Sequence, residues 1–236
     1  MQFSQPLIPA RLMKRYKRFL ADAELENGDV ITAHCANPGA MLGVKEAGSK
    51  IWLSESTNPK RKLKYSWELI EVANGKTPTI VGINTAHPNK LVEEGILTGE
   101  ITELQGYDTL KREVKYGTNS RIDILLTDPQ KKNCYVEVKN VHLVRKKKLA
   151  EFPDSVTARG AKHLHELCDM IKEGHRAVMV FLIQRNDVQQ IDIASDIDPN
   201  YNTAFQMARE NGVEMLAYKC KLTPQSINIA APVTVL

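Results

Sequence analysis

Seven successive apolar residues, 177–183, form the run Ala-Val-Met-Val-Phe-Leu-Ile. A strand that shows one face to water alternates polar and apolar positions. One without alternation is buried on both faces, as in a sheet covered by helices on each side. The run is far short of the ~20 apolar residues of a membrane span, so no membrane partner is expected. The flanking pattern suits a helix-covered sheet. Residues 155–172 predict an amphipathic helix with the stripe Val156, Gly160, His163/Leu164, Leu167 and Met170/Ile171, ended by Gly174. A second helix over 201–210 and a strand over 213–219 follow. Upstream, Asn89 is placed to cap a short helix over 90–97. Strands are expected at 110–116, 121–127 and Cys134–Val141, with Asp128-Pro129-Gln130 turning between the last two. The order α-β-β-β-α-β-α-β across residues 86–236 predicts a mixed sheet flanked by helices, an α/β (α+β) domain.

Residues 1–85 have a different rhythm. Five short strand candidates, 19–25, 30–35, 51–56, Tyr65–Val72 and 79–84, are separated by turn signals. Asn27-Gly28 marks a hairpin between the first two, because both residues tolerate positive φ. Five short strands in this length suit a small barrel of the OB kind. The composition, 42% hydrophobic and 25% charged over 236 residues, excludes disordered, collagenous and coiled-coil chains. The start Met1-Gln-Phe-Ser-Gln-Pro6 has no apolar core of a signal peptide. Cys35, Cys134, Cys168 and Cys220 form no C-x-x-C pair. These features point to a cytoplasmic protein with reduced thiols.

The net charge of +4 is unevenly placed: residues 1–85 carry 12 Lys+Arg against 8 Asp+Glu, and residues 86–236 carry 20 of each. The excess falls largely in two tracts. One holds Arg11, Lys14, Arg15, Lys17 and Arg18; the other holds Lys60, Arg61, Lys62 and Lys64, followed by Tyr65. Cations interleaved with aromatic rings suit a polyanion with bases to stack, so these ten residues are candidate DNA contacts. A third run, Arg145-Lys-Lys-Lys148, lies in the neutral part.

One constellation carries chemistry. Asp123 lies in an apolar strand, and Glu137-Val-Lys139 lies in the next. Side chains alternate along a strand, so Glu137 and Lys139 share a face, and a hairpin-like pairing brings Asp123 beside them. Two carboxylates suit a hard cation, Mg²⁺ or Mn²⁺, which acidifies a bound water and offsets charge on a scissile phosphate. Lys139 is then placed to hold that water or neutralise the transition state. An upstream helix acid, Glu93 or Glu94, adds to the set, and helical spacing does not choose between them. With each residue type near ~6% of a chain, E-x-K arises about once by chance at this length. Glu113-Val-Lys115 matches it too. The two differ in what precedes them: Glu137 has Asp123 in an apolar strand across a turn, while Glu113 has only Asp108 in a polar loop.

Several motifs occur in order: Arg15-Tyr-Lys-Arg-Phe-Leu-Ala-Asp22, His34-Cys-Ala-Asn-Pro-Gly-Ala-Met41, Lys60-Arg-Lys62, Trp67-Glu-Leu69, Val114-Lys-Tyr-Gly117, Ser120-Arg-Ile-Asp123, Tyr135-Val-Glu-Val-Lys139, Phe152-Pro-Asp-Ser-Val-Thr157 and Arg159-Gly-Ala-Lys-His-Leu164. Together they resemble the sugar fermentation stimulation protein A family over nearly the whole chain. The resemblance implies an OB-like domain over 1–85 and a PD-(D/E)xK nuclease-like domain over 86–236. It also implies DNA binding without sequence preference and a regulatory role in maltose or sugar use. The catalytic set it carries over is Asp123, Glu137 and Lys139. Its Asn-Lys/Arg-Leu-x-x-Glu pattern, landing on Asn89, Lys90 and Leu91, selects Glu94. Because such a fold packs the long helix near these strands, Lys162 is a further candidate. Asn37-Pro38-Gly39 departs from the expected Asn-Thr-Gly, which removes a hydroxyl from that loop.

His163 reads as a structural histidine near the helix stripe, Gln184 as a cap on the sheet edge, and Cys168 as core. The expected function is therefore a DNA-binding, Mg²⁺- or Mn²⁺-dependent nuclease. The rivals are a non-enzymatic DNA-binding regulator of sugar fermentation genes and an RNA-binding factor, since OB folds take either polymer.

Overall fold

The computed structural model of the chain describes residues 1–73, 77–117 and 120–236. Strand β1 (Ile8–Tyr16) pairs antiparallel with β2 (Leu20–Leu25), and β2 with β3 (Val30–His34). On its other edge β1 meets β4 (Lys50–Glu55), which pairs with β5 (Tyr65–Val72). A parallel contact, Ala33 to Tyr65 and His34 to Ser66, joins β3 to β5 and closes an OB-like barrel of five strands. Its interior holds Leu12, Ala21, Ala23, Ala33, Ile51, Leu53, Trp67 and Ile70, all fully or nearly fully buried. The Asn27-Gly28 hairpin forms as expected, with Gly28 at φ +87 and the Leu25 N–H donating to Asp29 O.

The barrel corrects the sequence reading in one member. β1 is absent from the five expected strands, and residues 79–84 stand in its place. In the structure β6 (Thr79–Gly82) adds antiparallel to the later part of β5, beyond the point where β3 closes the ring. β1 does alternate, with Ala10 and Leu12 buried and Arg11 and Met13 exposed. Pro9 and the crowd of cations mask that alternation, because proline and charge both argue against a central strand.

Helix α1 (Pro88–Leu97) opens the second domain, followed by β7 (Thr109–Tyr116), β8 (Ser120–Thr127) and β9 (Cys134–Val141). Next come β10 (Leu143–Lys146), β11 (Leu149–Phe152), α2 (Ala158–Lys172), β12 (Arg176–Ile183) and β13 (Gln190–Ile193). Helix α3 (Pro199–Glu210), β14 (Glu214–Leu222), β15 (Ile227–Pro232) and β16 (Thr234–Val235) complete the chain. The main sheet runs β15-β14-β12-β9-β8-β7, with β9, β12 and β14 parallel and the other neighbours antiparallel. As the unbroken apolar run predicts, β12 is covered twice. Met179 and Phe181 meet α2 and α3, while Val178 and Val180 share a cluster with Leu91 and Val92 of α1. The small sheet β10-β11-β13-β16 was not expected, since its strands are four residues or fewer and too short to show a period.

Three local expectations change. Asn89 is inside α1 rather than capping it, because Pro88 already opens the helix and His87 holds the cap position. Val156 is 72% exposed and precedes α2, whose cap is Thr157, accepting from the Gly160 N–H. Gln184 does not cap an edge. It is fully buried in the seam between barrel and sheet, where its backbone carbonyl accepts from Gly82 N–H and its amide donates to Asn84 O and Asn140 Oδ1. The seam is also apolar, since Trp52 and Leu69 of the barrel join the cluster of Leu91, Val92 and Val138. Among the described residues no helix is long and apolar enough to cross a membrane.

Gly82 permits this close approach: a Cβ there would lie 2.4 Å from Gln184 Oε1 and 3.1 Å from Gln184 Cβ. Overpacking of this kind costs about 1–3 kcal/mol. Gly82→Ala should therefore lower the melting temperature by about 3–10 °C in a thermal melt followed by circular dichroism. Gln184→Ala in the same background should return part of the loss. A Gly82→Ala melt equal to wild type would show that the seam yields freely.

Candidate active site

The β8–β9 ladder ends at Ile124 opposite Val136. One step further that register sets Asp123 opposite Glu137, and there a side chain replaces the backbone ladder. Asp123 Oδ2 accepts the Val138 N–H at 2.8 Å, and Oδ1 accepts from Asn89 Nδ2 of α1 at 2.7 Å. Burial and the charge of Glu137 push the Asp123 carboxyl up to about 6, although Val138 N–H, Lys139 and Asn89 all oppose the rise.

Glu137 goes the other way. It is 2% exposed, and burial alone raises a carboxyl, yet Lys139 and His163 hold it below the usual range. Lys139 Nζ donates to Glu137 Oε1 at 2.7 Å, and His163 Nδ1 of α2 bonds the same oxygen. Arg159 Nε donates to His163 Nε2 at 3.3 Å. Lys139 Nζ lies at the same 3.3 Å from His163 Nδ1, so each ring nitrogen has a cation beside it and Nδ1 also faces the Glu137 carboxylate. Glu137 Oε2 is buried with no hydrogen-bond partner, as are Tyr116 Oη, Tyr201 Oη and Glu166 Oε2. Burial raises both tyrosines, with Glu137 adding to each, so these hydroxyls stay protonated around the acid.

The structure thus gathers Asp123, Glu137 and Lys139, and adds Asn89 and His163. Two carboxylates with one unpartnered oxygen can hold a hard cation. Among the described residues, no three His, Cys, Asp or Glu side chains are grouped as a metal cage. Glu94 is a correction: its carboxylate pairs with the Met1 amino group at 2.8 Å. Glu93 pairs with Arg112 at 3.3 Å, so neither helix acid joins Asp123. The residue of α1 that reaches the strands is Asn89, in its first turn. Lys162 lies 3.5 Å from Glu166 Oε1, which also accepts from Ser120 Oγ; the helix presents His163, one residue on, to Glu137. The competing Glu113-Val-Lys115 sits on edge strand β7 with Glu113 and Lys115 exposed. Arg159 and His163 were legible only as an i,i+4 pair on one helix face; Asn89 stood out as a helix cap and as the first residue of the family pattern, and neither signal put it beside Asp123.

The basic tracts divide. Arg11 donates to Gly48 O, Lys14 pairs with Asp22 at 3.4 Å, and half-buried Arg15 clamps Asn37 O and Gly39 O. Arg61 donates to Ser66 Oγ, and Lys64 pairs with Glu55 at 2.7 Å while lying over the Tyr65 ring. Lys17, Arg18, Lys60 and Lys62 are exposed. Arg145 is bound bidentate to Glu151 and to Asp196, so the run it begins is partly neutralised. Arg15 and Arg18 line a cleft of about 790 Å³ between barrel and sheet domain, together with Asn37, Asp154 and Asn140, the residue after Lys139. Asp154 accepts the Met41 N–H and faces His142, docking the 37–41 loop on the second domain without any hydroxyl at Pro38.

Comparison with known proteins gives two family matches: "SfsA N-terminal OB domain" over residues 13–83 and "Sugar fermentation stimulation protein RE domain" over 86–226. A sugar fermentation stimulation protein homolog of Rhodospirillum centenum is 58% identical over 229 residues, covering 97% of each chain. One of Azorhizobium caulinodans is 53% identical over 236 residues, covering 100% of both. Among solved structures, Pyrococcus furiosus SfsA in complex with Ca²⁺ is 26% identical with a TM-score of 0.88, covering 100% of this chain and 98% of that one. The order of motifs, the barrel and the mixed sheet agree with these matches throughout, and the chain belongs to the sugar fermentation stimulation protein family.

Proposed function

We propose that this chain binds DNA and hydrolyses phosphodiester bonds with a divalent cation held by Asp123 and Glu137. The observation that carries this reading is the confrontation of two carboxylates at the end of the β8–β9 ladder, where burial and then the charge of Glu137 push Asp123 up to about 6. Such a pair is poorly stable alone and is relieved by a cation. The donor set fits Mg²⁺ or Mn²⁺: both ligands are hard oxygens, and Glu137 Oε2 has no other partner. The Ca²⁺ complex of the archaeal relative lends support. When bound, such a cation acidifies water and offsets the charge growing on phosphate. Lys139, tied to Glu137, positions the attacking water or offers its ammonium to the developing negative charge. His163 and Arg159 hold Glu137 in one orientation. The exposed cations Lys17, Arg18, Lys60 and Lys62 and the cleft beside Asn140 supply the contacts to a phosphate backbone.

One observation favours a second reading, a DNA-binding regulator without turnover: among the described residues only two carboxylates converge, since Glu94 lies with Met1. An assay with labelled single- and double-stranded DNA in Mg²⁺, Mn²⁺ or EDTA separates the two. Cleavage should require the metal, and Asp123→Asn and Lys139→Ala should each lower it about 100-fold or more with the fold intact. Binding with no cleavage under any of these conditions would select the regulator. Cleavage by the variants at the wild-type rate would sink the assignment of the site.

The same pair sets a pH dependence. A carboxyl whose folded value lies above its unfolded one binds its proton more tightly when folded. In EDTA, the Asp123 contribution to stability should therefore fall as pH rises from about 4 to about 7, by up to about 3 kcal/mol for the shift to about 6. The readout is the melting-temperature difference between wild type and Asp123→Asn across that range, and Mn²⁺ should shrink it. A difference that does not vary with pH would mean the two carboxylates do not oppose each other.

A further inference from the structure

The turn between β1 and β2 is a tight, strained device that the proposed chemistry leaves unused. Lys17 and Arg18 have φ of +45 and +62, a backbone region that non-glycine residues seldom occupy. The Phe19 N–H closes on Lys17 O at 2.7 Å, a three-residue turn centred on Arg18. Glycine would sit there without strain, yet two cations hold both positions. Next to them Phe19 leaves 43% of its surface in water, the largest exposed aromatic side chain of the described residues. Its backbone is fixed, because Phe19 O accepts the Cys35 N–H at 2.8 Å. Its ring lies against His34 of β3 with centroids 6.4 Å apart and planes 26° from parallel, so one face is backed by a second ring. Arg18 also lines the cleft that reaches Asn140 beside Lys139.

An exposed, backed ring flanked by two cations matches a strand in which flat bases alternate with phosphates. A peptide or a lipid surface has no such alternation. Strain retained in the two residues before an exposed aromatic is itself a sign of use. We propose that Phe19, supported by His34, is a stacking platform for one unpaired base of single-stranded DNA, with Lys17 and Arg18 on its neighbouring phosphates. It would hold the strand at the mouth of the cleft lined by Arg15, Asn37, Asn140 and Asp154. This inference rests on the DNA-binding reading above and adds the substrate form, an unpaired segment.

The test uses the full-length protein in EDTA, so that cleavage plays no part. Fluorescence anisotropy on a short single strand carrying 2-aminopurine, and on a matched duplex, gives affinity and stacking together. Phe19→Ala should weaken single-strand binding about tenfold or more. It should also remove the 2-aminopurine quench and leave duplex binding and the salt slope unchanged. Phe19→Trp should restore both signals. Lys17→Gly with Arg18→Gly, which relaxes the turn as it removes the charges, should lower the salt slope by about 1.4 while the quench persists at low salt. Single-strand binding by Phe19→Ala equal to wild type, or equal losses in the alanine and tryptophan variants, would overturn the platform and leave the DNA reading standing. Phe19-dependent binding to RNA but not DNA would also overturn it. No binding to either DNA would overturn both readings.

Discussion

A carboxylate removed from water needs compensation, and the surroundings of Glu137 are arranged to supply it. Lys139 comes from the same strand two residues on, which places it on the same side of the sheet. His163 comes from α2, with Arg159 one turn earlier securing its second nitrogen. All of these act on one oxygen or behind it. Asp123 meets the same negative charge without an ammonium of its own at hydrogen-bond distance, and receives only neutral donors, Asn89 and the Val138 N–H. The two carboxyls are therefore driven apart, Glu137 downward and Asp123 upward. Pairs separated in this way are a recurrent source of division of labour between acids.

This arrangement depends on the sheet being covered twice. Helix α1 approaches β8 and β9 from one side and delivers Asn89, while α2 approaches from the other and delivers His163. The apolar length of β12 makes both coverings possible, since Met179 and Phe181 anchor one layer and Val178 and Val180 the other. The barrel is joined to the same layer by Trp52 and Leu69, and the Gly82–Gln184–Asn140 contact links it to the residue next to Lys139. That chain of hydrogen bonds ends at the Asn140 side chain.

The basic tracts show how little a charge run says by itself. Arg15 is spent on carbonyls of the 37–41 loop, Lys64 on Glu55, and Arg145 on two carboxylates. Paired surface cations still contribute to the long-range field, but they are less free to replace counterions on a phosphate backbone. Exposed cations remain at two loops of the barrel and at Lys146–Lys148, and the β1–β2 turn sets Lys17 and Arg18 beside an aromatic ring.

Sequence alone determined what depends on local pattern. The period of 177–183 required a sheet buried on both faces, Asn27-Gly28 required a hairpin, and alternation in Cys134–Val141 placed Glu137 and Lys139 on one face and Val136 and Val138 on the other. The Asp123–Glu137 juxtaposition followed from one turn between two adjacent strands. Tertiary structure decided what depends on contacts distant in the chain. Whether Glu93, Glu94 or Asn89 meets Asp123 is a matter of how α1 rotates on the sheet, and packing of Leu91, Val92 and Ile96 turned Asn89 inward. His163 became the partner of Glu137 because α2 docks through Leu164 and Leu167, a fact that no spacing within the helix contains. β1 emerged as a strand only because β2 and β4 offer it two edges; its own residues argue locally against one, and hydrogen bonds from both sides outweigh that preference.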